Sequence, residues 1–253
     1  MKKKICLITG GNGFLGKEFC KYFASINYNV ISVDKSYTKK IYSKVSKNNI
    51  KKYKCDITNE SEVKNLSKEL INYNFDLLIN NAAIDAVPHI SKKSDLKYPS
   101  LTSWKNEIDV SIIGSFLMIK YFGEKMFKKR SGSIINIGSD LSILAPNQNI
   151  YKKTYRNYKK PPTYSVIKHG LVGLTKYYSS LYGERNVRVN MVSPGPVQNK
   201  QGSFLIKEIK KLTPMNKMNN PKNIFGILSF LAGDQSSFIT GQNILVDGGK
   251  SII

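Results

Sequence analysis

The chain alternates. Short, strongly apolar runs recur along it, and stretches with helical spacing separate them. Lys4–Thr9 reads as a buried strand ending in glycines, and Phe14–Phe23 as the helix after it, with Phe14, Leu15, Phe19, Tyr22 and Phe23 apolar. Further strands are expected at Val30–Val33, Tyr53–Cys55, Phe75–Ile79, Ile134–Ile137, Val187–Val192 and Ile244–Val246. Helices are expected at Ser61–Ile71, with Ser61 as N-cap, and at Leu101–Phe127, Tyr164–Tyr182 and Ile224–Leu231. Strands separated by helices of this length form parallel βαβ units, and the connection rules wind them into one doubly wound, seven-stranded α/β sheet with helices on both faces. No linker or internal repeat divides the chain, so residues 1–253 read as a single domain. Two segments interrupt the alternation: a polar loop at 86–100 and a Tyr/Lys/Asn/Pro-rich stretch at 145–163.

Charge and cysteine usage exclude several alternatives. The 253 residues carry 40 Lys and Arg against 17 Asp and Glu, a formal net charge of +23. A hydrophobic content of 41% is too high for a disordered basic tail. The lysines are scattered, with no helix-turn-helix and no basic arm, so no nucleic-acid partner is expected. Cys6, Cys20 and Cys55 form no CxxC pair, which argues against a disulfide scaffold or zinc ribbon and for a reducing compartment; a cytoplasmic protein without a metal site is expected. After Met1 and three lysines only Ile5–Ile8 are apolar before the glycines, too few for a signal peptide, and no run approaches the ~18 apolar residues of a membrane helix.

Thr9-Gly10-Gly11-Asn12-Gly13-Phe14-Leu15-Gly16 joins the first strand to the first helix. Glycines let backbone approach a phosphate closely, and the free N–H groups of a helix N-terminus face the anion. Asp34 closes the second strand, where a carboxylate can accept hydrogen bonds from both ribose hydroxyls of an adenosine. It would repel a 2′-phosphate, which favours NAD, while Lys35 beside it keeps NADP open. The arrangement predicts a dinucleotide site.

A phenol is a poor acid–base catalyst near neutrality, its unperturbed pKa being ~10. An ammonium on the same helix face favours the phenolate. Three Tyr/Lys pairs have this i, i+4 spacing: Tyr121/Lys125, Tyr155/Lys159 and Tyr164/Lys168. Tyr121 lies within an apolar helix and reads as core. Tyr155/Lys159 runs straight into Lys160-Pro161-Pro162, which breaks a helix. Tyr164/Lys168 opens a long amphipathic helix and is the candidate. Ser139, just after the fifth strand, sits at the sheet's C-terminal edge, where open α/β sheets hold ligands. Its hydroxyl can hold a reacting oxygen, or simply cap a turn.

These residues resemble the short-chain dehydrogenase/reductase family, in its single-domain, Rossmann-like branch. The likeness covers essentially the whole chain: the glycine loop, Cys55-Asp56-Ile57, Asn80-Asn81-Ala82-Ala83, Ser139, Tyr164/Lys168, Ser193-Pro194-Gly195-Pro196-Val197, and the C-terminal run through Ile239-Thr240-Gly241-Gln242 to Val246-Asp247-Gly248-Gly249. The resemblance implies an NAD(P)-dependent oxidoreductase acting on a secondary alcohol or ketone. It implies Tyr164 as acid/base, Lys168 holding the nicotinamide ribose, and Ser139 orienting the substrate oxygen. Asp56 would contact adenine beside Ile57, and Asn80, Ala82 and Ala83 would line the cofactor cleft. The loop from Pro194 through Gly195, Val197 and Asn199 would seat the nicotinamide. The family assembles through its long helices, so a homotetramer or homodimer is expected.

This chain departs from the family pattern at four points. Its loop glycines fall at 10, 13 and 16. Ser111 stands where the family usually has the Asn of a proton relay, and Asn199 replaces a common Thr. Ser139 and Tyr164 are 25 residues apart, about a dozen more than usual. The extra segment, roughly 145–163, carries Lys152, Lys153, Arg156, Lys159 and Lys160 interleaved with Tyr151, Tyr155 and Tyr158. Cations with aromatics suit an anionic small-molecule substrate such as a nucleotide-activated sugar, with Asp140 as a further contact. A solvated basic loop is the alternative. The insertion, with Gln201…Phe204 and Thr213-Pro214, is similar to enzymes of bacterial surface-sugar and flagellin-glycan pathways, including nonulosonic acid routes. Two other functions remain open on these residues: an epimerase or dehydratase with tightly held NAD, and a non-enzymatic NAD(H)-sensing protein.

Overall fold

The computed structural model describes residues 3–38, 49–84, 99–152 and 158–253. Seven strands form one all-parallel sheet: β1 (Ile5–Thr9), β2 (Asn29–Asp34), β3 (Ile50–Lys54), β4 (Leu77–Asn80), β5 (Gly132–Ile137), β6 (Val187–Pro194) and β7 (Asn243–Val246). Their order is β3-β2-β1-β4-β5-β6-β7. The chain builds outward from β1 to β3, then returns to pair β4 against β1, with Leu7 opposite Leu78. This reversal is the topological switch point of an open α/β sheet, and a crevice opens beyond the strand ends there. The fold is the doubly wound, Rossmann-like α/β arrangement expected.

Alternating residues of the buried strands feed two cores. On one face Leu7, Ile31, Leu78, Ile134 and Val189 pack under α2 (Glu60–Glu69), α3 (residues 101–129) and α4 (Pro162–Gly183), with Phe122, Met118 and Tyr182 among the helix contributions. On the other, Cys6, Ile8, Leu77, Ile79, Ile135 and Ile137 pack under α1 (Phe14–Ser25) and, past α5 (Ser203–Lys211), under α6 (Pro221–Ala232), through Phe19, Phe23, Ile224 and Leu228. A third, small cluster joins Leu205, Ile209 and Met218 to Ile150 and Tyr151, so the extra segment packs on α5.

Several details differ from expectation, among them the span of β3, expected at Tyr53–Cys55, and the helix α5, which was not expected. Asn59, not Ser61, caps α2: its Oδ1 accepts from the N–H groups of Ser61 and Glu62. The long helix α3 is continuous but contains two π turns, Asp109–Ile113 and Ile119–Gly123. Tyr121, expected in the core, is half-buried, with its hydroxyl on Glu60 Oε1 at 2.9 Å. The polar loop expected at 86–100 lies outside the described residues up to 98. No helix among the described residues is long and apolar enough to cross a membrane.

Candidate active site

The glycine turn is built as a phosphate cradle. Gly10 has φ +65°, and a Cβ there would stand 2.8 Å from the Ala82 Cα. A Cβ on Gly16 would stand 2.0 Å from Gly10 O, so this glycine lets α1 pack directly on the turn. Gly13 is the N-cap of α1 and no side chain caps the helix, so its first N–H groups face the cleft with the positive end of the helix dipole behind them. Asn81 braces the turn by donating from Nδ2 to Thr9 O at 2.9 Å and to Gly10 O at 3.3 Å. Its N–H and that of Ala82 both donate to Thr9 Oγ1, sealing the β1–β4 seam.

Above this turn lies a cavity of about 400 Å³, lined by Gly10, Gly13, Phe14, Leu15, Asp34, Lys35, Asp56, Ile57, Asn81, Ala82, Ala83, Val110 and Asn199 among others. Most residues expected to hold the cofactor therefore converge. Asp34 is oriented by its neighbours: Oδ2 accepts from the Asn12 N–H at 2.9 Å, and Oδ1 accepts from the Ser36 N–H and hydroxyl. Asn12 thus acts on Asp34 and, like Gly16, does not line the cavity. Asn80 lies beneath the cleft, 4% exposed, donating from Nδ2 to Asn136 Oδ1 at 2.8 Å; the wall is made by Asn81 instead. Burial pushes the Asp56 carboxyl up, but two hydrogen bonds from Thr58 and the Lys35 charge outweigh it and hold the group below the usual carboxylate range.

A second cavity, of about 220 Å³, shares Phe14, Leu15 and Asn199 with the first. Ser139, Asp140, Tyr151, Lys160, Tyr164, Pro194, Gly195, Val197, Gln201 and Lys250 help line it. Tyr164 stands in the first turn of α4, which Pro162 opens at a position that needs no N–H. Lys168, one turn on, is 4% exposed, with Nζ donating to Ile137 O at 2.9 Å and lying 5.6 Å from the Tyr164 ring centroid. Ser139 is both a cap and a cleft residue. Its hydroxyl donates to Asp140 Oδ1 at 2.8 Å and accepts from the Leu141 N–H at 3.2 Å. Gly195 is obligatory at this wall, since a Cβ would stand 2.9 Å from the Asp247 Cα. Gln201 holds the loop by donating to Val197 O at 3.0 Å. Ser111 falls in the first π turn of α3, 1% exposed, and its hydroxyl has no partner among the described residues.

The extra segment is placed only in part. Lys152 ends a single helical turn, Asn149–Lys152, and Lys153 and Arg156 lie outside the described residues. Lys159, expected to meet substrate, is exposed and outside the cleft lining; the adjacent Lys160 lines it instead. Asp140 lines it too, but its carboxylate is held by Ser139, by the Leu141 N–H and by an ion pair to Lys250 Nζ. Sequence reasoning missed Asn81, Gln201 and Lys250. Asn81 carried a signal as the second half of an Asn pair after a buried strand, and Gln201 stood in the pattern beside the insertion without a role; Lys250 carried none.

A parallel sheet with a phosphate cradle at its switch point, opening onto a Ser, Tyr and Lys constellation, defines a nicotinamide-dependent oxidoreductase. A family described as enoyl-(acyl carrier protein) reductase matches residues 15–251. The chain belongs to the short-chain dehydrogenases/reductases. The 3-oxoacyl-[acyl-carrier-protein] reductase FabG of Thermotoga maritima is 29% identical over 266 residues, covering 100% of this chain and 99% of that one. A short-chain dehydrogenase from Leptospira borgpetersenii, solved with bound NAD+, superposes with a TM-score of 0.87 at 30% identity, covering 99% of this chain and 94% of that one. ElxO, solved with NADP, gives a TM-score of 0.83 at 26% identity over 100% of both chains.

Proposed function

We propose that the protein moves hydride between NAD and a secondary alcohol or ketone on a small anionic substrate, with Tyr164 as acid/base. One observation carries this reading: the two cavities share Phe14, Leu15 and Asn199, so the cofactor cleft opens directly onto Ser139 and Tyr164. The cradle fits a dinucleotide, since α1 presents an uncapped N-terminus and Gly10 leaves no room for a side chain. When bound, the nicotinamide supplies or accepts the hydride. Tyr164 gives a proton to the substrate oxygen in reduction and takes it back in oxidation. Ser139 holds that oxygen. Its own proton lies on Asp140, so it accepts from a substrate hydroxyl in oxidation and would turn that proton to a ketone oxygen in reduction. Lys168 biases Tyr164 toward the phenolate and reaches the ribose, and the buried hydroxyl of Ser111 takes the relay position of the missing Asn. Pro194, Gly195, Val197 and Asn199 seat the nicotinamide end.

Asp34 supports NAD over NADP. Its carboxylate is fixed by Asn12 and Ser36 at the end of β2, where a 2′-phosphate would meet it. The Lys35 charge acts on Asp56, which weakens its case as a phosphate clamp. We further propose a sugar or nucleotide-activated sugar as substrate, because the extra segment sets Lys160 and Tyr151 in the cleft wall. A cytoplasmic homo-oligomer is the form we expect.

The test is direct. NADH and NADPH are titrated by fluorescence, and a panel of keto-sugar nucleotides is then followed by absorbance of the reduced cofactor. Tighter NADH binding and substrate-dependent oxidation are expected, with Tyr164→Phe losing about 100-fold or more of turnover while keeping NADH affinity. Undiminished turnover in that variant would refute the assigned chemistry. Sugar conversion without net absorbance change would instead establish an epimerase.

A further inference from the structure

We infer that Lys160 is a second cation acting on Tyr164, a positioning residue that works with Lys168 to stabilise the phenolate. The inference rests on Tyr164 being the acid/base. Lys160 Nζ lies 3.9 Å from the Tyr164 ring centroid, nearer than Lys168 Nζ at 5.6 Å. The two lysines flank the tyrosine symmetrically, four residues before it and four after. Lys168 rises from the helix, whereas Lys160 reaches the ring from outside it.

The approach is built rather than incidental. Gln148 grips the backbone of Lys160 on both sides: Lys160 N–H donates to Gln148 Oε1 at 2.9 Å, and Gln148 Nε2 donates to Lys160 O at 3.1 Å. Pro161 and Pro162 follow, fixing two successive φ angles, and Pro161 O accepts from the Tyr164 N–H at 3.2 Å. Tyr151 and Tyr158 close the neck of the extra segment with an edge contact at 5.0 Å. The root of the Lys160 side chain is therefore held relative to the ring it covers, which reduces the entropy lost in keeping the pair together. A cation over an aromatic face is attracted by the ring quadrupole. Ionising the hydroxyl spreads negative charge into the same ring, so the attraction grows on deprotonation and the phenolate is favoured.

The charged groups that line the cleft among the described residues are already accounted for. Among the described residues lining this cleft, Asp140, Lys160 and Lys250 are charged, and Asp140 is bound by Lys250 and Ser139. Lys168 adds a second positive charge, 5.6 Å from the ring centroid. The extra segment thereby gains a role in the chemistry beside the one proposed for it in substrate recognition.

The experiment titrates Tyr164 in the full-length, cofactor-free protein carrying ζ-carbon-13 tyrosine. The resonance is assigned by its loss in Tyr164→Phe. Lys160→Met is expected to raise the Tyr164 midpoint by about one pH unit, and Lys160→Arg to leave it within a few tenths. An unchanged midpoint in Lys160→Met, with unaltered circular dichroism, overturns the inference. If Lys160→Met fails to fold, Lys160→Gln is read in the same way. Lys168→Met separates this inference from the reading beneath it. A rise there without one in Lys160→Met leaves Tyr164 as acid/base and removes Lys160; no rise in either variant removes cation tuning altogether.

Discussion

A carboxylate with 3% of its side chain exposed needs a partner, and Asp140 finds one in Lys250, 110 residues away. Such pairings explain where the sequence stops being readable. Tyr164 and Lys168 are legible because one helix turn relates them, and Ser139 because it closes a strand. Lys250 has no local signal, since only the folded sheet sets the end of β7 near the end of β5, with β6 between them. Asn80 misleads for a related reason: adjacent strand residues point to opposite sides, and the choice between Asn80 and Asn81 depends on register.

The buried thiols make a separate residue-scale prediction. Burial pushes Cys20 up to about 11, partly offset by Ser32 and Lys52, and pushes Cys55 up to about 12. In the unfolded chain both ionise near ~8.5. Folded pKa values above unfolded ones give stability that is whole below ~8.5 and is lost as pH rises through the folded values. Urea midpoints should hold to pH 8 and fall steadily from pH 9 to 11. Cys20→Ala should make that fall shallower, with Cys6 and Cys55, both also pushed up by burial, still contributing; an equally steep decline in it would show that other groups dominate.

At the scale of elements, strands were the more legible class because parallel strands are buried on both faces and read as continuous apolar runs. The edge strand β3 is the exception. Lys51 and Lys54 alternate with partly buried residues, and only Tyr53 is fully enclosed, so its start at Ile50 is masked. The helix α5 carries too short an apolar stripe to stand out, with Leu205 and Ile209 as its buried residues. The π turns of α3 follow from hydrogen-bond spacing, which residue types do not record, yet they are where Ser111 is turned inward. The α2 cap also depends on backbone: Asn59 is extended and accepts two N–H groups, whereas Ser61 is already helical. Asn59→Ala should therefore cost about 1 kcal/mol, read as a lower urea midpoint with an unchanged slope. Ser61→Ala should cost a few tenths at most.

Across the whole molecule, the net charge of +23 has little to do with the site. Most of the ion pairs described are exposed, such as Lys21–Glu18 and Lys128–Glu124, and pairs of this kind contribute little. What organises the protein is the seam where β1 meets β4. The Ile5 N–H reaches Asp76 Oδ2 across 71 residues, whereas β1 meets β2 just beyond α1. Closing the longer loop costs more chain entropy, so the β1–β4 pairing should lag behind β1–β2. The cofactor cradle straddles that seam and cannot exist before it closes. NADH should therefore leave the refolding rate in stopped-flow jumps nearly unchanged and slow unfolding, by tenfold for each ~1.4 kcal/mol of binding free energy at the concentration used. A refolding rate that climbs with NADH would place the seam in the folding nucleus instead. By this account the dinucleotide acts as a late clasp between two halves of one sheet. The lifetime of the native protein then rises and falls with the supply of its own coenzyme.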